Sequence, residues 1–263
     1  MITFEGFTDF WIRHERQKSR MSIAELRTAV TATEDAEMKA QRFGESRLAS
    51  GRDRRVALML AASPLLLEDG RVSIDDERLP ALLRQPPTFR PQVGTALSTQ
   101  GCEIYPTLRG MVGVTPGFQE LEIFRNGHVE FRLFRHDLLS EQRPGLPRRT
   151  LTSWAVAEYI RNFVHFAAAL RDITEILDPY VIVFAIFNCL GVTMAEAGLD
   201  MWGRGRENEW SEGDDIVLDP IITHADEAPD RAAQRMADRF WNAFHFGRCP
   251  FFLEDGRFHI PER

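Results

Sequence analysis

Lysine is almost missing from this chain. Lys18 and Lys39 are the only two among 32 cationic side chains, so the other 30 are arginines. Arginine suits bidentate contacts to phosphate or carboxylate, but a GC-rich coding sequence produces the same bias without selection. Cysteine is scarce as well. Cys102, Cys189 and Cys249 are odd in number and far apart, which excludes a disulfide framework and fits reduced thiols in a cytoplasmic protein. The start, with Phe4, Glu5 and Asp9 soon after Met1, does not read as a signal peptide. Long hydrophobic runs are lacking too. The most apolar stretch, Tyr180–Val192, carries Asn188 and is too short to span a bilayer, so no membrane partner is expected.

Signatures of chemistry are also absent. There is no Gly-x-x-x-x-Gly-Lys phosphate loop, no dinucleotide glycine fingerprint after a strand, no His-Glu-x-x-His, no Cys-x-x-Cys and no Gly-x-Ser-x-Gly. The strongest grounds for assigning an enzymatic reaction are therefore missing, and no cofactor is expected.

What is present is the composition of a folded protein. Hydrophobic residues make up 44% of 263 and charged residues 27%, enough apolar matter for a sizeable core. That length suits one large domain or two ordinary ones. The net charge of −7 argues against a surface that coats nucleic acid everywhere. The charge is uneven, however: residues 1–55 carry 11 basic and 9 acidic side chains, so the remainder is at −9.

Local patterns predict an α+β fold of antiparallel hairpins with a long amphipathic helix packed on a mixed sheet. Ile2–Phe4 and Asp9–His14 read as short strands. Ser22 and Glu25 form a capping box that opens a helix running to about Ser50. Arg55–Leu67 reads as a buried strand, Glu68–Gly70 as a turn, and Val72 and Ile74 as the start of another strand. A brief helix is expected over 75–84. Leu121, Ile123, Val129, Phe131 and Leu133 alternate around Asn126-Gly127, which predicts a type I′ hairpin. Residues 140–149, with Pro144, Gly145 and Pro147, read as a linker between two lobes, 1–139 and 150–263. The best helix is 153–177, where Trp154, Ala157, Ile160, Val164, Ala167, Leu170 and Ile173 recur at helical spacing before Pro179. The apolar run from Tyr180 predicts a buried central strand. Pro229 suits the first turn of a helix to about Phe244, and Glu254-Asp255-Gly256 suits a terminal hairpin.

Five constellations are candidates for function. Arg13, Arg16, Lys18 and Arg20 form a basic run next to Phe10 and Trp11, which suits phosphate contacts with a stacking face. Asp214, Asp215, Asp219, His224 and Asp226 offer oxygens and one imidazole to a divalent cation, although the spacing matches no calcium loop. Arg143, Arg148 and Arg149 flank the linker. His128, His136, His165 and His245 are possible acid–base groups, none with a partner at a telling spacing; His128, beside a turn, is expected to face solvent. The aromatic cluster Phe240, Trp241, Phe244, Phe246, Phe251 and Phe252 suits either an exposed partner site or the packing of the last elements on the core.

Three blocks taken together resemble a known family. They are Phe10-Trp11-Ile12-Arg13 with Arg16, Lys18, Arg20-Met21 and Glu25-Leu26; Leu121–Gly127 with Val129-Glu130-Phe131; and Trp241–Phe244 with Phe246–Phe252 and Asp255-Gly256. In this order they resemble bacterial proteins with an AlbA_2-type, Schlafen-like DNA-binding domain, which are often labelled ATP-binding or helix-turn-helix proteins. The resemblance implies that the first block ends the AlbA_2 domain and that the rest of the chain is the region following it. The family's acidic and basic site residues lie before that block, so no catalytic residue carries over. The expected function is then a non-catalytic module assisting nucleic-acid binding or assembly in a bacterial regulatory or defence system. Its expected partners are nucleic acid, through Arg13, Arg16, Lys18 and Arg20, and a polypeptide supplying the missing AlbA_2 half. Two alternatives stand beside it: a protein-interaction subunit of a larger complex, and a divalent-metal hydrolase.

Overall fold

The computed structural model describes residues 57–65, 72–90, 95–98, 101–134, 139–140, 150–176, 179–195, 207–209 and 213–260. The expected strands at 2–4 and 9–14, the helix expected over 23–50, the turn at 68–70 and the linker residues 141–149 lie outside these.

Twelve strands and three helices make up the described chain. In order they are β1 (Leu58–Pro64), α1 (Arg78–Arg84), β2 (Glu103–Pro106), β3 (Gly110–Thr115), β4 (Gln119–Phe124), β5 (Val129–Leu133), β6 (Leu139–Ser140), β7 (Thr150–Leu151), α2 (Ser153–Thr174), β8 (Tyr180–Ile186), β9 (Thr193–Ala195), β10 (Glu207–Glu209), β11 (Ile216–Val217), β12 (Ile221–Thr223) and α3 (Pro229–Ala243). The α+β class holds. The main sheet runs β11-β8-β1-β5-β4-β3-β2, with β12 also on β8, and every pairing in it is antiparallel. The mixed sheet is the smaller one, β10-β9-β7-β6, where β7 and β9 run parallel. Segments on both sides of residues 140–149 contribute strands to the main sheet, since β1 pairs with β5 on one side and β8 on the other.

The two central strands are apolar without alternation because both faces of the sheet are covered there. Leu58, Leu60 and Ala62 of β1, with Tyr180, Ile182, Phe184 and Ile186 of β8, join the core that holds the buried faces of α2 and α3. Met59, Ala61, Val181, Val183, Ala185 and Phe187 form a second buried cluster. Period-two geometry sends alternate residues to opposite faces. β4 and β5 keep true alternation: Leu121, Ile123, Val129, Phe131 and Leu133 belong to the helix-side core.

Helix α2 is enclosed nearly all round, so Ala155, Val156, Tyr159, Phe163 and Phe166 are buried as well as the residues of the expected stripe. It stops at Thr174, three residues before the expected end. Glu175 adopts a left-handed φ of 55°, and the Ile176 N–H turns back to the Arg171 carbonyl. Helix α3 starts with Pro229 at its first turn and buries Ala232, Ala233, Met236, Ala237, Phe240 and Trp241.

Two expectations are corrected. Val72 and Ile74 form no strand; the Val72 N–H instead donates to the Arg125 carbonyl at 2.9 Å, tying this segment to the β4–β5 turn. That turn is not type I′. Only Gly127 has positive φ, at 85°. The Gly127 N–H donates to the Phe124 carbonyl and the Phe124 N–H to the His128 carbonyl. This is the three-residue connection in which a bulge glycine follows a tight turn. The same hydrogen bonds recur at the terminal turn, from Gly256 to Leu253 and from Leu253 to Arg257, with Gly256 at φ 87°.

Candidate functional site

The outer face of the β4–β5 hairpin carries a buried ionic cluster. Alternation places Glu120 and Glu122 of β4 and Glu130 and Arg132 of β5 on the face opposite the helices, with His128 from the end of the turn. Register puts Glu122 directly across from Glu130 and Glu120 across from Arg132. Two carboxylates facing each other on a sheet repel, and Arg132 offsets this by bridging them. Its NH2 donates to both Glu130 and Glu122, its Nε to Glu130 at 3.0 Å, and its NH1 to Glu120 at 2.8 Å. Burial pulls the Arg132 guanidinium down, but Glu130, Glu122 and Glu120 outweigh it and hold its pKa above the ordinary value. His128 does not face solvent as expected. It is buried, with Nδ1 2.9 Å from the Ala62 carbonyl and Nε2 2.9 Å from Glu130. The signal for this cluster was present in the sequence: polar residues at 120, 122, 128, 130 and 132 fall on one face of the hairpin.

A second polar seam runs along α2. Glu158, Arg161, Asn162 and His165 lie at helical spacings of three and four. Glu158 is paired with Arg90, at 2.6 Å to NH2. Asn162 accepts the Phe89 N–H at 3.0 Å and donates to the Thr95 carbonyl at 3.2 Å. His165 Nε2 meets Asp230, in the first turn of α3, at 2.5 Å, with the Arg161 Nε 3.4 Å from the same oxygen. The pairing of His165 with Asp230 was missed in the sequence because the partners are 65 residues apart. Burial pushes the His165 imidazole below its usual 6.5, and Arg161 adds to this, against the pull of Asp230.

That shift has a sign. An unfolded chain takes up the proton near pH 6.5, whereas the folded protein resists it to lower pH. The neutral imidazole's contribution to stability is therefore complete above 6.5 and is lost as pH falls through 6.5 toward the folded value. Denaturant midpoints measured across this range are expected to drop for the wild type and to drop less for His165→Gln. Equal slopes in the two proteins would count against this assignment.

Other expected sites fare differently. Arg13, Arg16, Lys18 and Arg20 lie outside the described residues, as do Arg143, Arg148, Arg149 and His136. His245 is exposed, with φ 59°. The acidic segment does not converge on a metal site: among the described residues, no group of three or more His, Cys, Asp or Glu side chains is placed to hold a metal ion. Asp215 accepts the Asn188 N–H at 3.1 Å, while the Asp214 carbonyl accepts the Cys189 N–H at 2.5 Å. Arg239 ties the Asp219 carbonyl to α3 at 2.7 Å, and Arg235 grips Glu227 with two hydrogen bonds. The C-terminal aromatics are not a surface. Phe240, Trp241, Phe244, Phe246, Phe251 and Phe252 are all in the core, with edge-on contacts such as Phe240 to Phe244 and Trp241 to Phe251. Cys189 and Cys249 are buried, and Cys102 is half-buried.

Among the described residues, no helix is long and apolar enough to cross a membrane. No protein-family model, curated protein or solved structure matches the chain.

Proposed function

We propose that this chain is a non-catalytic module of the Schlafen/AlbA_2-like kind, which assists nucleic-acid binding or assembly in a bacterial regulatory or defence system in the cytoplasm. The observation that carries the reading is the run Arg13, Arg16, Lys18 and Arg20, four cations within eight residues beside Phe10 and Trp11. These side chains contact phosphates, and the adjacent rings offer stacking faces. Supporting it is the division of charge, with +2 over residues 1–55 and −9 over the rest. An acidic body with a basic end meets a polyanion through that end.

Fluorescence anisotropy of labelled single- and double-stranded oligonucleotides, titrated at several salt concentrations, tests this. Affinity is expected to fall steeply with salt, by a log–log slope of about −0.7 to −0.9 per phosphate contact. Alanine at Arg13, Arg16, Lys18 and Arg20 together should remove about 3 from that slope. Unchanged affinity in the fourfold variant would sink the reading.

A second reading, a protein-interaction subunit, is favoured by the β2 edge of the main sheet. Tyr105 is 46% exposed there and Leu108, in the following turn, 98% exposed. It predicts salt-tolerant association with a protein and no affinity for oligonucleotides.

A further inference from the structure

The contact between Arg90 and helix α2 has the chemistry of a recognition pocket. The Arg90 guanidinium carbon lies 4.8 Å from the centre of the Trp154 ring. Its Nε and NH2 donate to Glu158 at 3.1 and 2.6 Å. An indole face together with a carboxylate is what a guanidinium group binds best, through cation–π attraction and charge-assisted hydrogen bonds. Trp154 and Glu158 sit four residues apart, so α2 presents both on one side.

Two features show that Arg90 fits this pocket imperfectly. Both of its nitrogens converge on one oxygen, Glu158 Oε2, instead of spanning the carboxylate as an unconstrained fork would. The other oxygen, Oε1, is buried and has no hydrogen-bond partner, although the Glu158 side chain is 0% exposed. Buried acceptors are rarely left so. Arg90 is also 31% exposed, so the pocket reaches solvent through the arginine that fills it. The segment carrying Arg90 is held independently by Asn162, through the Phe89 N–H and the Thr95 carbonyl, and by Phe89 against Phe258. Release of the Arg90 side chain therefore leaves the segment attached.

We propose that Trp154 and Glu158 form a guanidinium-binding pocket, that Arg90 occupies it in cis, and that its ligand is a guanidinium group arriving from outside the chain. A free guanidinium takes both carboxylate oxygens, which the tethered one does not. Arg90 acts as a built-in competitor, because a tethered group presents itself at an effective concentration of about millimolar or above. Binding is weak until Arg90 leaves.

Isothermal titration calorimetry on the full chain tests this with two probes, methylguanidinium and a short peptide with one central arginine, both kept at low-millimolar concentration to avoid denaturation. Arg90→Ala should bind guanidinium saturably and at least about tenfold more tightly than wild type. Adding Glu158→Gln to that background should abolish the gain, while methylammonium should bind much more weakly. Tighter binding of the peptide than of methylguanidinium would identify an arginine on a protein partner as the ligand; equal binding would identify a small guanidinium compound. A folded Arg90→Ala, verified by circular dichroism, that binds neither probe would overturn the proposal. Arg90→Gln, which keeps an amide donor toward Glu158, serves if the alanine variant does not fold. Should neither variant fold, the contact is a requirement of the fold and the pocket is rejected.

Discussion

Arg132→Met will destabilise the protein by about 3–5 kcal/mol, the largest effect expected of any single charge removal. The arginine is 4% exposed and sits among Glu120, Glu122 and Glu130, the last only 1% exposed. Without it, register leaves Glu122 and Glu130 face to face on adjacent strands and removes the guanidinium that bridges them. Ionised carboxylates cannot remain so close in a poorly solvated place, and the remedy is protonation. The variant should therefore gain stability as pH falls toward the carboxylate range, which reverses the usual acid response. Adding Glu130→Gln and Glu122→Gln should recover much of the loss, since the penalty lies in the charges left behind and not in the missing bonds. Urea denaturation of the single and triple variants measures this. Equal loss in both would mean that Arg132 contributes through packing of its stem alone.

The second large effect concerns Gly110, at the start of β3. A Cβ built there meets the Ile123 carbonyl oxygen at 1.9 Å and the Phe124 Cα at 2.8 Å. These are backbone atoms of the neighbouring strand, so no rotamer change relieves the clash. Gly110→Ala must push β3 away from β4 at the Gly110–Phe124 pair, at an expected cost of about 3 kcal/mol or more, at the upper end for overpacking. Gly117→Ala provides the control. Gly117 has φ 69° but open space around its Cβ position, so it should lose only the left-handed penalty of about 1–2 kcal/mol. Thermal melts that rank Gly117→Ala as the worse variant would contradict the close approach of β3 and β4.

The features legible in the sequence were those written in local periodicity. The runs at 58–64 and 180–186 read as strands because the first is continuously apolar from Leu58 to Ala62 and the second is rich in β-branched and aromatic residues, and the 153–174 helix because its apolar spacing persists over many turns. The 119–133 hairpin was visible from alternation, but its turn type was not. Asn126-Gly127 admits both a two-residue and a three-residue connection, and the pairing of Phe124 with His128 decides for the latter. Val72 misled because β-branching alone does not supply a neighbouring strand. The burial of the two ionic clusters was not legible, for another reason. Glu130 and Arg132 resemble the solvated half of an amphipathic strand until the sheet proves to be covered on both faces. His165 resembles a lone core histidine until α3 brings Asp230 beside it.

The position of β1 has a consequence for the order of assembly. Its partners lie about 70 residues later in β5 and about 120 later in β8, as in Leu60 opposite Phe131 and Phe184. By contrast, β2 to β5 join through successive short turns. Local pairings close cheaply and distant ones must first overcome loop-closure entropy, so the β2–β5 meander is expected to form early and recruit β1 afterwards. During synthesis β1 then waits with one apolar edge open until Tyr180–Ile186 emerges, and that interval is when the nascent chain is most exposed to pairing with a second copy of itself.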